Sequence, residues 1–182
     1  MKTFATLAAA IAVAVATPCV AADLAPDESS TAIMAAASAV AAARDEAAPV
    51  LGDRDLKPGG YWWNSAGPSS GPVEVRVSLE EQRAYVYRAG ELMGVSTISS
   101  GKPGKDTPPG IFPILEKKTM HRSRKYDNAP MPFMQRIDNY GIALHAGHIP
   151  GRPASHGCVR LPSAFAAKLF GITKVGDRVV IG

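Results

Sequence analysis

The chain has 182 residues, 46% of them apolar, and carries 20 Lys and Arg against 16 Asp and Glu, a formal net charge of +4. The excess is mild and no basic stripe with interleaved aromatics accompanies it, so a nucleic-acid partner is not expected. Two cysteines, Cys19 and Cys158, exclude a disulfide-stapled scaffold.

Residues 1–22 read as a secretory signal. Lys2 is the only charge before Asp23, Phe4 to Val15 is apolar or small apart from Thr6, and Val20-Ala21-Ala22 offers small residues for cleavage near Ala22. A spanning helix needs about 20 predominantly apolar residues, and Pro18 interrupts the run before that. Pro18 directly before Cys19 is also a poor context for lipidation. Removing the signal leaves 19 basic and 16 acidic residues and a single thiol, Cys158. The expected location is the periplasm.

Residues 23–72 form an Ala-rich segment followed by a Gly/Pro/Ser linker. Ser30 or Thr31 could cap an alanine helix running to Arg44-Asp45-Glu46. Its apolar face, Ile33, Met34 and Val40, is thin, which favours a solvated spacer. Tyr61-Trp62-Trp63 is read as packing the linker onto the following domain, since aromatics carry large apolar area. Stacking on sugar rings is the sharper alternative.

Residues 73–182 have the texture of one domain. Val73 to Leu79 alternates apolar and polar with period two. Ala84 to Arg88 and Leu92 to Ser99 follow after short turns, giving an antiparallel meander. Thr107-Pro108-Pro109-Gly110 is a turn signal, and Ile111 to Leu115 resumes strand character. Residues 116–130 are polar and read as an excursion over the site. Met131 to Ile137, Gly141 to His145 and Asp177 to Ile181 read as further strands. The one helix expected in this domain starts at Pro162, covers Ser163 to Phe170 and ends at Gly171. The fold class is mostly β, with one short helix after the cysteine.

Ser155-His156-Gly157-Cys158-Val159-Arg160 carries the chemistry. A thiol is a weak nucleophile until it loses its proton, and an imidazole held nearby can take that proton to give a thiolate–imidazolium pair. His145 ends a buried strand, a rigid platform for a base. Gly157 lets the backbone approach a substrate carbonyl, and the amides of His156, Gly157 and Cys158 could face a developing oxyanion.

The stretch His145 to Arg160 resembles the active-site signature of the L,D-transpeptidases with a YkuD-type catalytic domain. Thr107-Pro108-Pro109-Gly110-Ile111-Phe112 is similar to the family's Thr-Pro-x-Gly-x-Phe block. The resemblance implies a β-sandwich-like fold and action on peptidoglycan stem peptides. It makes Cys158 the nucleophile and His145 the general base and acid. His156 and Gly157 would shape the oxyanion hole with the Cys158 amide, and Ser155 and Arg160 would bind substrate, Arg160 by bidentate pairing with a stem carboxylate. The donor implied is a tetrapeptide stem that loses D-alanine and forms an acyl-thioester. The acceptor is an amine of another stem (3→3 cross-linking) or an outer-membrane protein anchored to the wall. Water or D-amino acids, giving carboxypeptidase or exchange activity, are the alternative. A monomer without cofactor is expected. The chain departs from the family in having Ala146 after the histidine, so the ring must be oriented by a backbone carbonyl. His148 is not part of the signature and reads as loop surface.

Two rivals come from other classes. His145, His148, His156 and Cys158 are ligand types for zinc, which would suit a zinc-dependent wall hydrolase. A non-catalytic wall-binding module would not need the Cys/His pair.

Overall fold

The computed structural model describes residues 25–182, which form ten strands and two helices. The signal reading of residues 1–22, with Cys19, lies outside the described residues. In chain order the elements are α1 (Ser30–Leu51), β1 (Tyr61–Trp63), β2 (Val73–Ser78), β3 (Arg83–Arg88), β4 (Glu91–Thr97), β5 (Gly110–Pro113), β6 (Glu116–Arg122), β7 (Pro130–Arg136), β8 (Ala143–Ala146), β9 (Val159–Leu161), α2 (Ser163–Ile172) and β10 (Arg178–Ile181).

The strands make two sheets, one ordered β1-β4-β3-β2-β10-β5 and one ordered β6-β7-β8-β9. The β2-β3-β4 meander is antiparallel, whereas β10 joins β2 and β9 joins β8 in parallel. Alternation decides which side chains meet between the sheets. Val75 and Val77 of β2, Phe112 of β5, Leu144 of β8, Leu161 of β9 and Ile181 of β10 share one core with Phe165 and Leu169 of α2. The architecture is therefore mostly β and sandwich-like, with a helix following the cysteine.

The spacer expected over residues 23–50 is instead a 22-residue helix capped by Ser29, whose hydroxyl accepts the Ala32 N–H. Ala32, Ala36, Val40, Ala43, Ala47 and Leu51 are buried at successive spacings of four or three, one continuous helical face. That face lies on the outside of the first sheet, where Ala43, Ala47 and Leu51 pack on Tyr85, Tyr87 and Val95. Small side chains let the helix sit close to the strands, so alanine buries the face that larger residues form elsewhere. Met34, an expected face residue, is exposed. Among the described residues no helix is long and apolar enough to cross a membrane. Ala43→Asp sets a carboxylate against the Tyr85–Tyr87 cluster and should cost about 3 kcal/mol in urea unfolding, where a solvated spacer would tolerate it.

Tyr61-Trp62-Trp63 forms β1 at the edge of the first sheet and packs inward as expected. The rings of Tyr61 and Trp63 sit 5.7 and 5.5 Å from Phe165. Residues 116–122, expected as loop, form strand β6 paired with β7. This edge strand alternates poorly because it is largely exposed. Its charges also protect the open edge from pairing with other chains. Lys117 is the exception: its Nζ donates to the carbonyls of Phe170, at 2.7 Å, and Thr173, tying β6 to the end of α2. Gly171 lies inside α2, which ends at Ile172 with Thr173 as its cap.

Candidate active site

The β8–β9 pair builds the site. Its parallel register sets Leu144 opposite Val159, His145 opposite Arg160 and Ala146 opposite Leu161. Leu144, Ala146, Val159 and Leu161 turn into the core. The alternate positions, His145 on β8 and Cys158 and Arg160 on β9 and its approach, turn the other way, into a cleft of about 1160 Å³. One sheet face thus carries both thiol and imidazole, the diagonal neighbours of a strand pair.

His145 is 8% exposed and its Nδ1 lies 2.8 Å from the Ala146 carbonyl oxygen. A carbonyl only accepts, so Nδ1 carries the proton and Nε2 is left as the base. The backbone orientation demanded by Ala146 is therefore present. Burial holds the ring below its ordinary 6.5, and the positive charge of Arg160 adds to the effect against the Ala146 hydrogen bond. Cys158 is half-buried, and its Sγ donates to the Gly141 carbonyl at 3.6 Å. Burial pushes the thiol above its ordinary 9.0, opposed by the Ala143 backbone and aided by the Asp138 charge. Both directions favour neutral partners. A site held in that form passes the proton from thiol to imidazole as substrate arrives.

The turn behind the sulfur is rigid. Asp138 is buried, and its Oδ1 accepts the N–H groups of Tyr140, Gly141 and Ile142 at 2.9, 2.7 and 2.7 Å. This clamp fixes the Gly141 carbonyl that receives the thiol.

The remaining expected residues divide. Ser155 is buried at the floor of the cleft. Its hydroxyl donates to the Cys158 carbonyl and accepts the Gly157 N–H at 3.1 Å, so it braces the cysteine loop instead of binding substrate. The same bond takes the Gly157 amide away from any oxyanion. Gly157 itself has φ +116, and a Cβ there would meet Ile142 Cδ1 at 2.6 Å. The positive φ is what calls for glycine, since the Ile142 methyl can shift. His156 is exposed and its ring stacks on Tyr126, 4.5 Å between centroids and 25° between planes. Slight desolvation, with the cations Lys102, Arg160 and Lys105, holds it below its ordinary 6.5. Arg160 lines the cleft with Lys118, Arg124, Lys125 and Arg136. Glu116, the one carboxylate among the described lining residues, is already paired with Lys118 at 2.6 Å and Arg136 at 3.1 Å. The cleft therefore favours anionic ligands.

His148 is exposed on the cleft rim. Among the described residues no group of three or more His, Cys, Asp or Glu side chains is placed to hold a metal ion, so the four ligand types of the zinc reading do not converge.

Residues 72–181 match the model of the YkuD L,D-transpeptidase catalytic domain, more than half of the chain. The chain belongs to the L,D-transpeptidase catalytic domain family. Solved structures agree. An L,D-transpeptidase from Stackebrandtia nassauensis is similar at 29% identity and a TM-score of 0.57, over 65% of this chain and 58% of that one. One from Mycobacterium smegmatis is similar at 23% identity and 0.57, over 61% and 58%. A third, solved in complex with imipenem, is similar at 23% identity and 0.56, over 61% and 59%. The chain thus spans less than two thirds of the length of each. No curated protein matches it in sequence.

Three features of this L,D-transpeptidase domain escaped the sequence reading. Tyr126 sits in a polar turn with no periodicity to mark it. Asp138 looks like any turn residue until its three amide bonds are seen. Thr107 stood in view within the Thr-Pro-Pro-Gly block, but nothing in the sequence shows its hydroxyl reaching the Gly157 carbonyl 50 residues away.

Proposed function

We propose that the protein is a periplasmic cysteine L,D-transpeptidase acting on peptidoglycan stem peptides. The observation that carries this reading is the placement of Cys158 and His145 on one face of β8–β9, opening into the cationic cleft. Family membership supports the reaction class, and the export pattern of residues 1–22 supports the compartment.

The chemistry follows from the neutral pair. A donor tetrapeptide enters with its carboxylates toward Arg160 and the rim cations. His145 Nε2 takes the Cys158 proton as Sγ attacks the scissile carbonyl carbon, forming the C–S bond and an oxyanion. Collapse breaks the C–N bond, and the imidazolium returns its proton to the departing D-alanine amine. An amine of a second stem, or of an envelope protein, then attacks the thioester. His145 takes the amine's proton, the C–S bond breaks, and the proton returns to the thiolate. The cycle is redox-neutral and draws on no group beyond the two substrates.

Incubation of the purified protein with disaccharide-tetrapeptide muropeptides, read by mass spectrometry, tests the proposal. Free D-alanine with 3→3 cross-linked dimers is the expected result. D-alanine with uncross-linked tripeptides alone would make water the acceptor and the protein an L,D-carboxypeptidase. Unchanged muropeptides would contradict the proposal.

A further inference from the structure

The hydroxyl of Thr107 joins two parts of the chain that flank the nucleophile. Thr107 is 4% exposed. Its Oγ1 accepts the Gly101 N–H at 2.9 Å and donates to the Gly157 carbonyl at 2.7 Å. Gly101 is itself fixed: it bridges Ser155, and a Cβ there would meet the Lys105 carbonyl oxygen at 2.0 Å. The Lys102 N–H also donates to the Ser155 carbonyl at 3.1 Å. Thr107 therefore stands on a welded platform and holds one atom of the cysteine loop, Gly157 O.

That atom shares a peptide plane with the Cys158 N–H. The described residues contain no cis peptide. In a trans peptide the C=O and the following N–H point in opposite directions. Holding Gly157 O toward Thr107 turns the Cys158 N–H away from Thr107. Neither Thr107 nor Gly157 lines the cleft, whereas Cys158 does. An acyl carbon bonded to Sγ can then place its oxygen on the amide of the same residue. The neighbouring Gly157 N–H is already committed to Ser155 Oγ, so of the two amides nearest the sulfur it is that of Cys158 that can meet the oxyanion. The chain Gly101 N–H, Thr107 O–H, Gly157 C=O also polarises this peptide, which strengthens its N–H as a donor.

We infer that Thr107 is a positioning residue for catalysis: through the Gly157 carbonyl it aims the Cys158 N–H at the oxyanion of the acyl-transfer step. The inference rests on the proposed acyl-thioester chemistry.

The test compares two reactions of the same sulfur in the full-length protein. Acylation by imipenem passes through a tetrahedral oxyanion, whereas alkylation by iodoacetamide does not. Thr107→Val removes the hydroxyl at nearly constant volume. It should slow imipenem acylation by about 10- to 100-fold, since removing an oxyanion donor outright costs 100- to 1000-fold. The iodoacetamide rate at the same pH should stay at the wild-type value, and Thr107→Ser, which keeps the hydroxyl, should restore acylation. An equal fall in both reactions, or no fall in acylation, would overturn the inference. Thr107→Ala covers the case in which the valine variant does not fold. If both variants unfold in thermal melts, the hydroxyl is structural and the inference fails. Wild-type protein that imipenem does not acylate would instead contradict the acyl-transfer reading itself.

Discussion

Cys158→Ser should lower D-alanine release from tetrapeptide muropeptides by on the order of 10⁴-fold or more while leaving the melting temperature in place. The two side chains differ by one atom and occupy the same half-buried position beside the Gly141 carbonyl, so packing changes little. The loss is chemical. A hydroxyl is far harder to deprotonate than a thiol, and the base here is weak. Burial holds His145 below its ordinary 6.5, and its Nδ1 is backed by the Ala146 carbonyl rather than by a carboxylate. Hydroxyl nucleophiles activated by histidine ordinarily have that carboxylate to stabilise the imidazolium. This site lacks it and relies on sulfur. A serine variant that keeps most of the turnover would show that the nucleophile lies elsewhere.

His145→Gln should cost about 10²- to 10⁴-fold in kcat/KM, the range of general acid–base catalysis. A change in the pH profile should accompany it. Catalysis needs the neutral ring, and the direction of the shift fixes where that form is lost. A ring held below 6.5 stays neutral as pH falls through 6.5 and becomes protonated only at lower pH. The acid limb of the wild-type kcat/KM profile should therefore lie below 6.5, and the glutamine variant should lose that limb. A wild-type limb above 6.5 would mean that the resting site holds an imidazolium and that the thiol is ionised before substrate binds. The same logic sets the thiol's own titration above 9.0 in the absence of substrate, visible as slow alkylation at neutral pH.

The parts of the fold that were legible share one physical property. Val73 to Ser78 buries one face and its period-two alternation records that burial, while Arg83 to Arg88 and Arg178 to Ile181 are buried on both faces and read as short apolar runs between turns. The elements that escaped lack this signal. Helix α1 buries alanines, whose small size carries the packing but not the hydrophobic stripe by which helices are usually read. Strand β6 is an exposed edge, and β9 has only three residues. The parallel joins of β9 to β8 and β10 to β2 cross long stretches of chain that no local pattern reports.

At the site, residue types were easier to read than residue roles. Cys158 and His145 stand in a specific motif, and the structure sets them on a common face. Ser155 and Gly157 stand in the same motif, yet their polar atoms are spent on bonds within the loop and to Thr107. Only the folded loop shows that the Gly157 amide is engaged and that the Gly157 carbonyl belongs to Thr107. The family resemblance gave His156 a part in shaping the oxyanion hole. In space its ring leaves the loop to stack on Tyr126, which comes from the turn between β6 and β7.

The central claim is that Cys158 is an accessible nucleophile that His145 activates for acyl transfer, and intact mass spectrometry after incubation with imipenem tests it most directly. Wild-type protein should gain the mass of one imipenem and Cys158→Ala should gain none. An unmodified wild type, or an adduct that persists in the alanine variant, would contradict the claim.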